Sequence, residues 1–343
     1  MAGKFLINLN FDIMIISRTP FRVSFFGGGS DYPQWYRSHG GSVLATAIDK
    51  YCYISCRRLP PFFAYKHRLV YRTQETVNQI SEIEHPAVRG VFSYFGWDEG
   101  VEIHHDGDLP ARSGLGSSSA FTVGLINALR AMQGRLIAKE ELGNLAIHIE
   151  QDVIKENVGS QDQITAAYGG FNRIDFRRDG AIEVLPIILP TQRLAAFKSH
   201  LMLVFTGFAR LASEVAKTKI ENLGKRAEEV HRLAAMVDEG VGILASERPI
   251  TDFGELLHEA WTNKRKLSDA VTTDAIDHIY ADARDAGAIG GKLLGAGGGG
   301  FMLLLVPPAK QEAVRKRLGK FVNVPFDFEI SGSRIVLYQP NGF

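Results

Sequence analysis

Residues 109–120 read Leu-Pro-Ala-Arg-Ser-Gly-Leu-Gly-Ser-Ser-Ser-Ala and run straight into the apolar segment 121–130. Gly114 and Gly116 carry no Cβ, so the backbone there can approach a ligand closely. Ser117, Ser118 and Ser119 fall where a helix start leaves backbone N–H groups without partners. Amides and hydroxyls at the positive end of a helix dipole make a cradle for phosphate. The same residue types also build an ordinary helix N-cap, and this segment alone does not choose between the two.

Phosphoryl transfer needs more than a cradle: oxygen ligands for magnesium, an oriented hydroxyl and compensation for spreading negative charge. Ser118 offers one oxygen, and its partner should be a carboxylate. Glu150 closes the otherwise apolar run Leu145-Ala-Ile-His-Ile-Glu150, although most helix glutamates are merely solvated. Asp162 stands in Asn157-Val-Gly-Ser-Gln-Asp-Gln163, after a Gly-containing turn that suits presenting a carboxylate into a cleft. A loop aspartate making an Asx-turn is the plainer reading. His104-His105-Asp106 reads as a polar turn, because neighbours in a strand point apart. No Gly-Lys pair is followed by Ser or Thr, which excludes a Walker A loop.

Two further glycine-dense loops frame these residues. One is Arg18-Thr-Pro-Phe-Arg-Val-Ser-Phe-Phe-Gly-Gly-Gly-Ser-Asp-Tyr32; the other is Gly291-Lys-Leu-Leu-Gly-Ala-Gly-Gly-Gly-Gly-Phe301. The second enters a strand rather than a helix, which argues against a dinucleotide fingerprint. With Pro-x-Arg-Val early, Gly-Leu-Gly-Ser-Ser in the middle and Lys-x-x-Gly-Ala-Gly-x-Gly-Gly late, the chain resembles the GHMP small-molecule kinases from Arg18 to about Phe301.

That resemblance implies an α+β, two-domain fold. Its N-terminal domain would be like the second domain of ribosomal protein S5, its C-terminal domain ferredoxin-like, and its active site would lie in the cleft between them. It implies ATP and Mg²⁺ as cofactors. It assigns Arg112, Ser113, Gly114, Leu115, Gly116, Ser117, Ser118 and Ser119 to ATP, and Ser118 with Glu150 to the metal. Asp162 becomes the catalytic base facing the acceptor hydroxyl. Arg22 becomes the cation that keeps Asp162 ionised and stabilises developing charge. Gly27, Gly28, Gly29, Ser30 and Asp31, with Tyr168 and Gly298, fall to the acceptor. The three glycines replace the bulky Glu-His of galactokinase, which implies a roomier sugar pocket.

The segments Ser30–Tyr36, His39–Tyr53, Trp261–Leu267, Ile276–Tyr280 and Gly287–Phe301 resemble one branch of that family, the bacterial heptose 7-phosphate kinases. These phosphorylate an anomeric hydroxyl on the route to a nucleotide-activated heptose. The branch implies a sugar phosphate as acceptor, and so cations in its pocket. Arg173, Arg177, Arg178 and Lys292 are available. A related anomeric sugar kinase, for instance for fucose, is the nearest rival. A non-catalytic sugar or nucleotide sensor is another, but a sensor has no need of Arg22, Ser118, Glu150 and Asp162 together.

The remaining composition is that of an ordinary globular protein: 343 residues, 45% hydrophobic, 22% charged, with a formal net charge of +1. No global field favours nucleic acid or a membrane surface, and no apolar run reaches spanning length. Asn8, Asn10 and Asp12 interrupt the first residues and no cleavage site follows, so a cytoplasmic protein is expected. A homodimer stays open. Cys52 and Cys56 read as reduced thiols on one strand face. Strand texture gives way to helical texture near residues 190–200. Residues 1–192 are therefore expected to form the N-terminal kinase domain and 193–343 the C-terminal one. Helices are expected at 120–132, 139–157, 213–237, 253–268 and 273–286, with a central strand at 301–306.

Overall fold

The computed structural model describes residues 13–111, 113–207 and 212–340. The chain opens with β1 (Met14–Phe26), a single 13-residue strand. The Gly27–Tyr32 loop leads into a short helix α1 (Pro33–His39) and then the 18-residue β2 (Gly41–Arg58). A small hairpin follows, β3 (His67–Val70) and β4 (Gln74–Val77), then α2 (Pro86–Phe95) and β5 (Val101–Gly107). Next come α3 (Ser117–Met132), α4 (Lys139–His148) and α5 (Gln161–Tyr168). β6 (Phe171–Phe176) and β7 (Ile182–Pro186) finish the strand-rich half.

The other half runs α6 (Thr191–Ser199), β8 (Leu201–Phe205), α7 (Ala212–Asn222), α8 (Ala227–Leu244), α9 (Ile250–Lys266), α10 (Asp274–Asp285), β9 (Gly290–Leu293), β10 (Phe301–Leu305), α11 (Gln311–Arg317), β11 (Val322–Asn323) and β12 (Arg334–Gln339). The helix expected at 213–237 is two helices joined by a 3₁₀ turn at Leu223–Arg226. The helix expected at 139–157 stops at His148 and continues as one π-helical turn, Ile149–Val153.

Among the described residues, the larger sheet has the order β12-β1-β2-β5-β3-β4, with β6 and β7 added beside β2. β2 is long enough to pair β5 along one half and β6 along the other, with β1 on its Leu44–Arg57 stretch. The second sheet is β11-β8-β10-β9, all antiparallel. β12 crosses the sequence boundary at 192/193: it pairs with β1, so the last strand belongs to the first sheet. The segment before it straps the halves together. Val324 N–H donates to Leu203 O, Glu329 N–H to Ala47 O, and Ser333 N–H to Ala166 O.

One core unites both halves. Phe25 and Phe26 of β1, Phe171 of β6, Phe197 of α6, Phe253 of α9 and Phe328 of the strap pack with ring centroids 4.8–6.2 Å apart. Edge and tilted contacts of this kind add to the burial of large apolar area. α3 supports the sheet as a buried helix: Phe121 to Leu129 are all buried. Cys52 and Cys56 are free and buried in β2, and burial pushes both thiols above their ordinary range, so they are poor nucleophiles. No helix among the described residues is long and apolar enough to cross a membrane.

Candidate active site

Three separate segments meet at one guanidinium. Arg22 of β1 clamps Asp162 bidentately, with Nε donating to Oδ1 at 2.8 Å and Nη2 to Oδ2 at 2.9 Å. Its Nη1 donates to the Gly114 carbonyl at 2.6 Å, and its backbone N–H to Leu115 O at 3.0 Å. The pair is largely withdrawn from water, with side chains 5% and 16% exposed. Asp162 is not on a loop, as the sequence suggested, but in the first turn of α5, where the helix dipole favours a carboxylate. Tyr32 is buried close by, and burial, with Asp31 and Asp162 adding to it, raises its phenol far above the ordinary value. It stays neutral and cannot act as a base.

The Ser loop has the geometry of an anion cradle. Gly116 caps α3 at φ +73° and ψ 25°, a left-handed conformation that suits glycine. A Cβ there would lie 3.2 Å from Arg22 Cγ and 3.3 Å from Asp162 Oδ2. The head of α3 therefore abuts the Arg22–Asp162 pair. Ser117 is half-buried, Ser118 exposed and Ser119 buried. The late loop closes on this turn. A Cβ on Gly295 would lie 2.4 Å from Gly114 Cα, and one on Gly300 2.2 Å from Ser113 O. Phe301 N–H donates to Ser113 O, and Ser113 Oγ to Pro110 O. Arg112, expected at ATP, lies outside the described residues.

Glu150 is buried in the π-helical turn. Its Oε1 accepts from Thr122 Oγ1 at 2.7 Å, and its Oε2 from Ser119 Oγ at 2.8 Å and from Gln163 Nε2. Burial pushes its carboxyl up to about 7, against the opposing pull of the three donors. The hydroxyls that meet Glu150 are thus those of Thr122 and Ser119, and that of Ser118 is not among them. Thr122 and Gln163 were missed from sequence. Their signal was spacing: Ser119 and Thr122 lie three apart on one helix face, and Gln163 follows Asp162 directly.

The Gly27–Asp31 loop is more constrained than its composition implied. A Cβ on Gly27 would meet Ser42 O at 1.9 Å, and Gly27 and Gly29 take φ +83° and +118°. Both are backbone glycines, so the extra room expected of all three reduces to Gly28. Ser30 is fully buried and donates Oγ to Gly27 O and Ser42 O. Asp31 is buried too. Its Oδ1 accepts from Gly29 N–H and its Oδ2 from Gln161 Nε2, so the carboxylate expected to hold sugar hydroxyls braces the loop against α5.

Tyr168 ends α5, nearly two turns beyond Asp162, packed with Ile164 and Phe176, and is not brought to the pair. Gly298 N–H is fastened to Val271 O. Of the four cations considered for an acceptor phosphate, Arg173, Arg177 and Arg178 line one cavity, while Lys292 is not part of its lining. Arg173 pairs with Asp175 and Asp238, Arg177 with Asp179, and Lys292 donates to Phe25 O. The cavity that Arg173, Arg177 and Arg178 share measures about 670 Å³ and is also lined by Trp35 and His231, beside Gly41 and Ser42.

The N-terminal domain model of the GHMP kinases matches residues 78–170, and the C-terminal domain model of the same family matches 244–324. The chain belongs to the GHMP kinase family. This GHMP kinase is therefore a phosphotransferase, and its family uses ATP as donor. It is 28% identical over 337 residues to the D-glycero-alpha-D-manno-heptose 7-phosphate kinase of Campylobacter jejuni, covering 92% of this chain and 96% of that one. It is 26% identical to the bifunctional fucokinase/GDP-fucose pyrophosphorylase of Arabidopsis thaliana, over 91% of this chain but only 31% of that one. The crystal structure of a D-glycero-D-manno-heptose 1-phosphate kinase from Bacteroides thetaiotaomicron superposes with a TM-score of 0.77. That match covers 94% of this chain and 98% of the other at 24% identity, and shows the shared fold.

Proposed function

We propose that this GHMP kinase transfers the γ-phosphoryl group of ATP to the anomeric hydroxyl of D-glycero-D-manno-heptose 7-phosphate, giving the 1,7-bisphosphate. It would act in the cytoplasm, ahead of nucleotide activation of heptose for capsule or another surface polysaccharide. The observation that carries the kinase reading is the Arg22–Asp162 clamp held against the Gly114–Gly116 turn at the head of α3. It sets a carboxylate and a cation beside a phosphate cradle. Asp162 orients the acceptor hydroxyl and takes its proton late, which a loose transition state allows. Arg22 holds Asp162 in place and faces the charge that develops on the transferring group. The sugar assignment is supported by the end-to-end likeness to the Campylobacter enzyme.

A magnesium ion fits the donors beside the cradle. Glu150 supplies a buried carboxylate, the Gln163 Oε1 next to it is buried without a hydrogen-bond partner, and Ser118 stands exposed at the helix head. Magnesium sites of nucleotide enzymes often use only one or two protein oxygens. Glu150 and Ser118 would hold the ion, which when bound neutralises charge on the transferring phosphate. Glu150→Gln and Ser118→Ala should each raise the magnesium concentration needed for half-maximal activity. An unchanged requirement in Glu150→Gln would leave Glu150 as a structural carboxyl.

Coupled ADP release over heptose 7-phosphate, free heptose, mannose 6-phosphate, fucose and galactose tests the substrate. Each charge-assisted hydrogen bond to the distal phosphate contributes roughly 1.5–3 kcal/mol. Removing that phosphate should therefore lower kcat/KM at least about tenfold. Equal efficiency on the two heptoses, or faster turnover of fucose, rejects heptose 7-phosphate and leaves the kinase assignment in place.

A further inference from the structure

Strand β1 and helix α5 face each other with two matched pairs of polar residues. Arg22 and Ser24 lie two apart on β1 and so share a face of the strand. Gln161 and Asp162 open α5 side by side. The first pair, Arg22 and Asp162, satisfies itself. The second does not. Ser24 is 5% exposed, and its hydroxyl has no hydrogen-bond partner. Gln161 is 9% exposed; its Nε2 donates to Asp31 Oδ2 at 3.0 Å, and its Oε1 has no partner. Only the amide NH₂ can donate to a carboxylate, so Asp31 fixes which end of Gln161 stays unmet.

Both unmet groups belong to residues that border Gly28. A Cβ there would lie 3.7 Å from Gln161 Nε2 and 3.9 Å from Ser24 Oγ, with no backbone atom as near. Gly28 also has no positive φ, unlike Gly27 and Gly29. The backbone does not require glycine at this position, and what its missing side chain leaves is room for about one non-hydrogen atom beside Ser24 Oγ and the Gln161 amide. Buried groups without partners are uncommon in folded proteins and call for an explanation.

We propose that Ser24 and Gln161 read two hydroxyls of the acceptor across Gly28, with the Gln161 carbonyl accepting from one and the Ser24 hydroxyl bonding another. This rests on the proposed sugar-kinase function and on the family resemblance that gives the Gly27–Asp31 loop to the acceptor. Shape alone would admit apolar acceptors of similar size. The two polar groups reject them, because a binding partner without hydroxyls leaves both unmet.

The test uses the best acceptor found in the ADP-release screen, together with its monodeoxy analogues. Ser24→Ala should lower kcat/KM for the acceptor about tenfold or more, leave KM for ATP unchanged, and abolish the preference for one hydroxyl over its deoxy analogue. The ligand-free Ser24→Ala enzyme should keep or raise its Tm, because the change removes an unmet buried hydroxyl. Gly28→Ala should likewise keep its Tm and raise the acceptor KM. A fall in Tm with no change in acceptor kinetics would mark Ser24 as structural and overturn the proposal. If the best acceptor is a sugar other than heptose 7-phosphate, the substrate assignment fails while Ser24 is still tested on that sugar. If Ser24→Ala is indifferent on heptose 7-phosphate itself, this inference fails alone. Absence of turnover on every polyhydroxylated acceptor overturns both.

Discussion

Asp162→Asn is expected to lower kcat by roughly 10²–10⁴-fold, the range for losing a positioned general base. The variant keeps the size of the side chain and its place in the first turn of α5. It loses the charge, and one of its two terminal atoms becomes a donor facing a donor of Arg22, because both carboxylate oxygens now accept from that guanidinium. The clamp should survive as a single hydrogen bond, with Gly114 O still held by Arg22 Nη1. Nucleotide affinity should be close to wild type, because the cradle at the head of α3 is untouched. Turnover must therefore be measured at saturating ATP and acceptor, well below the Tm of the variant, with binding of a non-hydrolysable ATP analogue as control. A kcat near wild type would remove Asp162 from the chemistry. Weakened nucleotide binding with matching loss of activity would make it a structural partner of the cradle.

The sequence disclosed the site better than the scaffold, for a physical reason. Glycines at Gly114, Gly116, Gly295 and Gly300 answer local demands, a positive φ or a backbone approach below 3 Å, and such demands leave a dense motif. The Arg22–Asp162 contact spans 140 residues, and only the likeness to a family joined its partners. Elements set by tertiary packing left little local trace. α1 hides in Pro33–His39 because seven residues make too short a period to read, and its Trp35 and Tyr36 are buried by later parts of the chain. In the register Met14–Gln339, β12 lies 325 residues from its partner, well beyond any window of hydrophobic alternation, while sequence texture placed it in the other half. The Gly27–Gly29 run looked uniform in one dimension. In three, two of its residues answer the backbone and one leaves space. Glu150 stood in an apolar run but was singled out by the likeness to a family, and the π-helical turn at Ile149–Val153 sets it toward Ser119 and Thr122, which a regular helical count did not foresee.

Arg22→Met should affect both stability and catalysis more than any surface substitution. Its guanidinium serves three acceptors on two other segments, and its side chain is 5% exposed. Removing it leaves Asp162 withdrawn from water without its counter-charge and Gly114 O without a donor. One-sided removal of a buried pair costs about 3–5 kcal/mol. The 16% exposure of the Asp162 side chain argues for the lower end. That cost should appear as a Tm lower by several degrees. Catalysis should fall further, by roughly 10²–10³ in kcat, as for loss of a preorganised charge stabiliser. Arg22→Lys keeps the charge but loses the planar fork, so it should recover part of the stability and little of the rate. The decisive comparison adds Asp162→Leu to Arg22→Met. Without the orphaned carboxylate, the double variant should be more stable than Arg22→Met alone, while activity stays lost. Additive stability losses would show that the two side chains do not depend on each other. An Arg22→Met enzyme with wild-type kcat and Tm would show that the clamp binds neither the fold nor the reaction together.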